Sequence, residues 1–202
     1  MSSLPLILAS QSPRRAALLK QMGFEFKIIT EPVDESSVTI QAPVEHVTTL
    51  AKMKTEAVLS KVDTGIIIGA DTIVCLDGDI LGKPKTREHA VEMLSRLSGQ
   101  RHEVYTGFCL VSTEGKVFCD FERTTVVFRP LSSWEIESYV DSGGAMDKAG
   151  GYGIQDASGL FVERIDGCFY NVVGFPLTRF YEGLKQMWDE SAIAAVLRKE
   201  CV

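Results

Sequence analysis

The sequence predicts an α/β fold in which helices flank a mixed, twisted sheet. Strand, turn and helix patterns follow one another directly in the first third of the chain, and short glycine turns later join neighbouring strands as hairpins. The 202 residues are 45% hydrophobic and 24% charged, which is typical of globular proteins. We therefore expect a single domain over residues 1–202, with binding sites at the strand ends of its sheet.

The first third of the chain predicts two strand–helix pairs. Residues 4–9 form a short apolar strand, and Ser12 is an N-cap directly before a proline, so a helix begins there and ends before Gly23. A second strand is predicted over residues 24–29, and a second helix begins near Pro43. The loop that joins this second pair is polar and acidic.

The middle of the chain predicts a buried strand, a hairpin and a helix. Residues 66–70 are continuously apolar, as expected of a central strand, and Asp71 follows directly after them. The Asp-Gly pair at 77–78 predicts a hairpin turn. A helix is predicted from Thr86, with Gly99 at its C-terminal end.

The last half of the chain predicts two more strand pairs and two helical segments. Each pair surrounds a glycine turn, and the strands cover residues 102–113 and 116–128, then 160–165 and 169–173. Ser132 and Glu135 form a capping box for a helix that ends at Gly143. Pro176 begins an amphipathic helical tail.

Charge and cysteine content exclude several classes of protein. The 21 basic and 27 acidic residues leave a net charge of −6, the wrong sign for binding polymeric nucleic acid or an anionic membrane. The five cysteines are odd in number and lack C-x-x-C spacing, so neither a disulfide framework nor a zinc ribbon is expected. Neither a membrane-length apolar run nor a secretory leader pattern is evident. We expect a cytoplasmic protein.

Three common catalytic motifs are missing from the sequence. It contains no G-x-x-x-x-G-K-[ST], no G-x-G-x-x-G and no H-E-x-x-H, which argues against P-loop, dinucleotide-binding and metalloprotease chemistry. His46, His89 and His102 are scattered along the chain, so we expect them to be structural.

Arginines at the start of the first helix predict an anion site. Arg14 and Arg15 lie in the first turn, where unpaired backbone N–H groups and the helix dipole repel cations. Ser10, at the preceding strand end, adds a hydroxyl donor. The arrangement suits a phosphate, and a solvated helix start with surface arginines is the alternative.

Other charged residues also stand in unusual places. Lys54 lies on the apolar stripe of its helix, which predicts either a partner anion or a side chain that snorkels to solvent. Asp71 either caps a turn or faces a ligand at the sheet edge. Lys83 and Lys148 lie in glycine-containing loops, where backbone amides can approach an anion.

These charges together predict a polyphosphate substrate. A triphosphate carries about four negative charges and calls for several cations, while Mg²⁺ sites use one or two carboxylates together with phosphate and water. The chemistry indicated is phosphoryl transfer to water. The cations are Arg14, Arg15, Lys54, Lys83 and Lys148, and the acids are Asp34 or Glu35, and Asp71.

Seven short motifs occur in order along the chain. They are LASQSPRR (8–15), VDE (33–35), AKMK (51–54), GADT (69–72), LGKP (81–84), LSG (97–99) and DKAGGYGIQ (147–155). Together they resemble the Maf-type nucleotide pyrophosphatases over nearly the whole chain. The resemblance implies an inosine-triphosphatase-like fold of two lobes around a cleft. It also implies hydrolysis of a nucleoside triphosphate between its α and β phosphates, giving the monophosphate and pyrophosphate.

The resemblance implies roles for individual residues in that cleft. Glu35 and Asp71 are expected to hold Mg²⁺ or Mn²⁺, and Asp71 also to orient or deprotonate the attacking water. The expected phosphate-binding residues are Ser10, Arg15, Glu35, Lys54, Lys83 and Lys148. A homodimer is an expectation from the family alone.

Three positions distinguish the family's branches at the base pocket. Here they are Arg14, Thr72 and Gln155, which resembles the branch that acts on dTTP and UTP. A glutamine amide can pair with the O4 and N3–H edge of a pyrimidine, whereas 7-methylguanine would favour an acid. Two alternatives remain: a nucleotide-binding regulatory protein of this fold linked to cell division, and a purine or 7-methyl-GTP pyrophosphatase.

Overall fold

The computed structural model describes residues 4–39 and 42–197. In this part of the chain seven strands form one mixed sheet, with α-helices between them. The strands are β1 (Leu6–Leu8), β2 (Phe26–Ile28), β3 (Ile66–Leu76), β4 (Asp79–Leu81), β5 (Arg101–Ser112), β6 (Val117–Phe128) and β7 (Val162–Asp166). The helices are α1 (Pro13–Gln21), α2 (Pro43–Leu59), α3 (Arg87–Leu97), α4 (Ser133–Asp141), α5 (Phe169–Val173), α6 (Leu177–Met187) and α7 (Glu190–Val196).

The sheet has the order β2-β1-β3-β5-β6-β7, and β4 pairs with β3 outside this path. β1 is parallel to both β2 and β3, with Leu6 opposite Phe26 on one side and Ile66 on the other. β4 and β7 are antiparallel to β3 and β6. The predicted mixed α/β sheet is confirmed.

The chain divides into two compact units. The first comprises the described residues of 1–71, 106–122 and 174–202, and the second comprises 72–105 and 123–173. Three of the boundaries fall within β3, β5 and β6, and the fourth follows α5. Among the described residues, none of the helices is both long and apolar enough to cross a membrane.

Close backbone packing places α2 on the sheet in the first unit. A Cβ added at Gly69 of β3 would lie 2.4 Å from Ala51 O, and one added at Gly107 of β5 would lie 2.6 Å from the carbonyl carbon of Val47. Only glycine leaves room for this approach of helix to strand. The rest of this core includes Phe180, which is fully buried and packs edge-on against neighbouring aromatic rings.

A second apolar core fills the second unit. It is built from the inward faces of α3 and α4, from strands β3 to β6, and from the loop after α4. Phe128, Tyr152 and Phe161 meet at its centre, with ring centroids of Phe128 and Tyr152 4.7 Å apart. This core anchors the glycine-rich loop that follows α4, because Tyr152 belongs to that loop.

Several local predictions are confirmed. Asp77 and Gly78 have φ of 51° and 91°, as a tight hairpin turn requires. Thr86 caps α3 by accepting a hydrogen bond from His89 N. Ser132 forms the predicted capping box of α4. These features depend on neighbouring residues only, which is why their pattern is visible in the sequence.

The prediction of a strand over residues 169–173 is wrong, because this segment forms α5. A segment of five residues is too short for periodicity to separate strand from helix. Tertiary contacts decide: the buried Asn171 donates hydrogen bonds from Nδ2 to Val104 O and to Thr124 Oγ1. Both partners are remote in sequence.

The expected position of Asp71 after a strand is also wrong, because Asp71 lies within β3. The parallel pairing of β3 with β1 ends at Ile68, opposite Leu8. The strand nevertheless continues, because residues 74–76 pair with β4. Asp71 therefore lies beyond the carboxyl end of β1 while still in extended backbone.

The expectation that the cysteines form no disulfide is wrong for one pair. Cys109 and Cys119 are joined across the β5–β6 hairpin, with Cα atoms 4.1 Å apart. That separation is close to the spacing of a non-hydrogen-bonded antiparallel pair. Cys109 lies five residues before the predicted turn at 114–115 and Cys119 lies four residues after it, which was the signal available in the sequence.

Candidate active site

The buried guanidinium of Arg15 is the first element of the site. α1 begins at Pro13, so Arg15 lies in its first turn, yet only 8% of the residue is exposed. Nε donates to Gly174 O at 2.8 Å, and Nη1 donates to Ser10 Oγ at 3.1 Å and to Ala70 O at 2.9 Å. These contacts fix the side chain between the end of β1, the middle of β3 and the segment after α5.

Burial has an electrostatic consequence for Arg15. Desolvation lowers the pKa of Arg15 from its ordinary value, and Arg14 acts in the same direction. The negative charges of Asp71 and Glu35 oppose this and raise the pKa. The cation is therefore stabilised by two nearby carboxylates.

Lys54 joins these two carboxylates. Its Nζ lies 2.7 Å from Asp71 Oδ1 and 2.7 Å from Glu35 Oε1. The two carboxylate oxygens are therefore no farther apart than the sum of these two distances. The side chains of Lys54 and Asp71 are 17% and 13% exposed, whereas that of Glu35 is 54% exposed. Gly69 allows α2 to lie against β3, and this packing brings Lys54 to Asp71. Lys54 therefore has partner anions, which was one of the two interpretations of a lysine on the apolar stripe of its helix.

Ser10 completes the group at the start of α1. It is buried, and its Oγ accepts hydrogen bonds from Ser12 N at 3.2 Å and from Arg15. Ser12 caps the helix by accepting from Arg15 N. The site thus combines a helix N-terminus, a hydroxyl and a buried arginine, which are the donors that phosphate oxygens favour.

The other predicted site residues belong to the second unit, apart from Arg14, which is half-buried in the first turn of α1. Thr72 directly follows Asp71 on β3 and is partly buried. Lys83 is exposed in the loop after β4, and Gln155 is exposed in the loop after α4. Gly150 N donates to Gly82 O, so these two loops are joined.

Lys148 has a different environment from Lys83. Its side chain is only 13% exposed, and Nζ lies within 3.2 Å of Gly144 O, Asp147 Oδ1 and Asp156 Oδ2. Every one of these acceptors belongs to the same loop region. Its expected phosphate contact stays a prediction.

With the geometry described, comparison with known proteins shows the family. The family model described as "Maf-like protein" matches residues 5–187. The chain belongs to this Maf-like family. The matched range includes every candidate site residue of both units.

Curated Maf-like relatives are similar over almost their whole length. A dTTP/UTP pyrophosphatase of Salinibacter ruber is 48% identical over 185 residues, 91% of this chain and 91% of the relative. A dTTP/UTP pyrophosphatase of Carboxydothermus hydrogenoformans is 47% identical over 182 residues, 90% of this chain and 97% of the relative.

A solved structure supports the fold. The Staphylococcus aureus Ham1 protein matches with a TM-score of 0.51 at 16% identity, covering 89% of this chain and 99% of that one. At this identity the similarity concerns the Maf-like chain's architecture only.

The carboxylates of this Maf-like protein fit a metal that is shared with phosphate. The described residues contain no cluster of three or more His, Cys, Asp or Glu side chains that could hold an ion by themselves. Mg²⁺ is commonly held by one or two carboxylates with substrate phosphates and water. Glu35 and Asp71, held together by Lys54, supply such a pair.

Two parts of the site were missed by sequence reasoning. The carbonyl groups of Ala70 and Gly174 bind Arg15 although they lie 55 and 159 residues away from it. Backbone acceptors have no residue-type signal, so their position follows from the fold alone. Asp156, which holds Lys148, was also missed, and its place next to Gln155 was the one clue in the sequence.

Proposed function

We propose that this Maf-like protein hydrolyses dTTP and UTP to the nucleoside monophosphate and pyrophosphate, as a house-cleaning enzyme of the nucleotide pool. The observation that carries the proposal is Lys54 bridging Asp71 and Glu35 beside the buried Arg15. The names of relatives 47% and 48% identical over about nine-tenths of the chain support the same reaction and substrates.

In this proposal the start of α1 binds phosphate. Arg15 is already fixed by three hydrogen bonds, so it can stabilise negative charge without rearrangement. Ser10 Oγ and the N-terminal amides of α1 add donors, and Arg14 and the exposed Lys83 add charge. We leave Lys148 out of this phosphate-binding set because its ammonium is engaged within its own loop.

Asp71 is the proposed base. Its Oδ1 accepts from Lys54, which leaves Oδ2 as the oxygen that takes a proton from water. The water oxygen forms a bond to the α-phosphorus, and the bond from that phosphorus to the bridging oxygen of the β-phosphate breaks. Pyrophosphate leaves with that oxygen, and its developing charge is stabilised by Arg15 and Lys54.

Glu35 and Asp71 would hold Mg²⁺ or Mn²⁺ together with the phosphates. Such an ion supplies charge neutralisation and polarises the phosphoryl oxygens. Lys54 keeps the two carboxylates close enough to share one ion, since both lie 2.7 Å from its Nζ.

Base recognition is assigned to Arg14, Thr72 and Gln155. The exposed amide of Gln155 can donate to O4 and accept from N3–H of thymine or uracil. Thymine and uracil share this edge, so the same amide would recognise the bases of both dTTP and UTP.

The test is pyrophosphate release from dTTP, UTP, CTP, GTP, 7-methyl-GTP and ITP with Mg²⁺ or Mn²⁺. We expect turnover of dTTP and UTP, and a loss of at least about 10²-fold in Asp71→Asn with an unchanged circular dichroism spectrum. Binding of dTTP without turnover would favour a regulatory nucleotide-binding protein. A preference for ITP, GTP or 7-methyl-GTP would favour a purine pyrophosphatase.

A further inference from the structure

A turn of the second unit, residues 153–158, carries Gln155 and is closed by its own side chains. Asp156 N donates to Gly153 O at 3.1 Å, and Asp156 Oδ1 accepts from Ser158 N at 2.9 Å. Ser158 is fully buried, and its Oγ accepts from Gly153 N at 2.9 Å. Asp156 is therefore the residue on which this turn depends, and Gln155 is its direct neighbour.

Lys148 contacts Oδ2 of Asp156, whereas Ser158 contacts Oδ1. An ammonium group has three N–H donors. Lys148 Nζ has three acceptors within 3.2 Å, namely Gly144 O, Asp147 Oδ1 and Asp156 Oδ2. A phosphate could therefore bind this ammonium only at the expense of an existing contact.

The aliphatic part of Lys148 also contacts the turn. A Cβ added at Gly153 would lie 2.7 Å from Lys148 Cε and 2.8 Å from its Cδ, so the side chain packs directly over the glycine. Tyr139 OH lies 3.0 Å from Gly144 O and 3.3 Å from Asp156 Oδ2. Burial raises the pKa of Tyr139, so its hydroxyl keeps the proton that these acceptors require.

We propose that Lys148 is a positioning residue for base recognition, which acts through Asp156 to hold the turn that carries Gln155. This inference rests on the proposed function in one respect, the role of Gln155 in reading a pyrimidine. Whether Lys148 holds the turn does not depend on the proposed function. Lys148 therefore differs from Lys83, whose exposed side chain is assigned to phosphate.

The test uses Lys148→Met, which keeps the aliphatic contact with Gly153 and removes the charge. Asp156→Asn and the double variant accompany it, and Lys185→Met is the matched control, because Lys185 has a comparable ion pair with Glu182 at 2.7 Å on α6. Three readouts separate the roles: hydrogen exchange of the amides of 156–159, inhibition by dTMP, and inhibition by pyrophosphate.

We expect Lys148→Met to speed exchange of these amides and to weaken dTMP inhibition about tenfold, with pyrophosphate inhibition unchanged within twofold. KM for dTTP rises more than kcat falls. The double variant is no worse than Asp156→Asn, because both changes break one network. Lys185→Met behaves as wild type, and Lys148→Arg recovers part of the loss.

Two results overturn the proposal. Pyrophosphate inhibition weakened tenfold with dTMP inhibition unchanged would make Lys148 a phosphate ligand. Amide exchange unaffected by Lys148→Met would show that it does not hold the turn, whatever the activity. If the wild-type protein releases no pyrophosphate from any nucleotide, the proposed function fails by itself, and the exchange measurement still decides whether Lys148 holds the turn.

Discussion

Replacing Arg15 by lysine perturbs the most deeply buried charge of the candidate site. Arg15 uses two nitrogens in different directions, Nε toward Gly174 O and Nη1 toward Ser10 Oγ and Ala70 O. A lysine side chain ends in a single ammonium nitrogen where arginine has a planar guanidinium, so it cannot reach both sets of acceptors. At least one buried carbonyl therefore loses its donor.

The magnitude follows from these contacts. A buried polar group that loses its partner costs about 1–3 kcal/mol, and the substitution leaves one or two such groups. We expect a destabilisation of about 2–4 kcal/mol, which lowers Tm by roughly 5–10 °C for a chain of this size. Turnover of dTTP should fall about 10²-fold or more, because the guanidinium no longer faces the phosphates.

The assay is thermal unfolding together with pyrophosphate release. Arg96→Lys is the control, since Arg96 makes a surface ion pair with Asp79 and its loss is expected to change stability by less than about 1 kcal/mol. An Arg15→Lys variant as stable as Arg96→Lys would refute the buried network. Full activity in a destabilised variant would instead refute the role of Arg15 in catalysis.

Three further predictions concern packing, pH and specificity. Gly107→Ala places a Cβ 2.6 Å from Val47 on α2, so we expect about 1–3 kcal/mol of destabilisation in urea unfolding, whereas Gly82→Ala, with open space around it, stays near zero. Burial lowers the pKa of His102 to about 4, so the unfolded chain binds a proton that the folded chain excludes. The contribution of His102 to the free energy of unfolding is fully present above about pH 6.5 and decreases by up to about 3 kcal/mol as the pH falls toward 4. We expect His102→Gln to remove this dependence of stability on pH, as measured by unfolding at several pH values. Gln155→Glu should lower the ratio of UTP to GTP turnover, and an unchanged ratio would remove Gln155 from base recognition.

The sequence predicted those parts of the fold that depend on neighbouring residues. The hairpin at 77–78 and the capping box at Ser132 need only a few adjacent residues, so their chemistry is visible locally. The segment 169–173 was predicted wrongly because Asn171 selects a helix through contacts with Val104 and Thr124. Such contacts exist only after the chain has folded.

The site was partly visible for a different reason. Arginines in a first helical turn and a lysine on an apolar stripe are unfavourable without a partner, and the structure supplies partners for Arg15 and Lys54. Lys148 was singled out for a different reason, its place in a glycine-containing loop, and the sequence could not say which anion it faces. Asp156, eight residues away, lies within 3.2 Å of its Nζ in the structure.

The charges of the first unit explain why a nucleotide and a metal would be needed together. Arg15 and Lys54 face Asp71 and Glu35, so these four charges balance before any ligand binds, and Arg14 adds one positive charge nearby. A triphosphate adds about four negative charges, which this balanced group cannot neutralise alone. A divalent ion on the carboxylates would supply two positive charges and would free Lys54 to interact with phosphate. In the proposed function, the bridge that Lys54 forms keeps both carboxylates in place before substrate and metal bind.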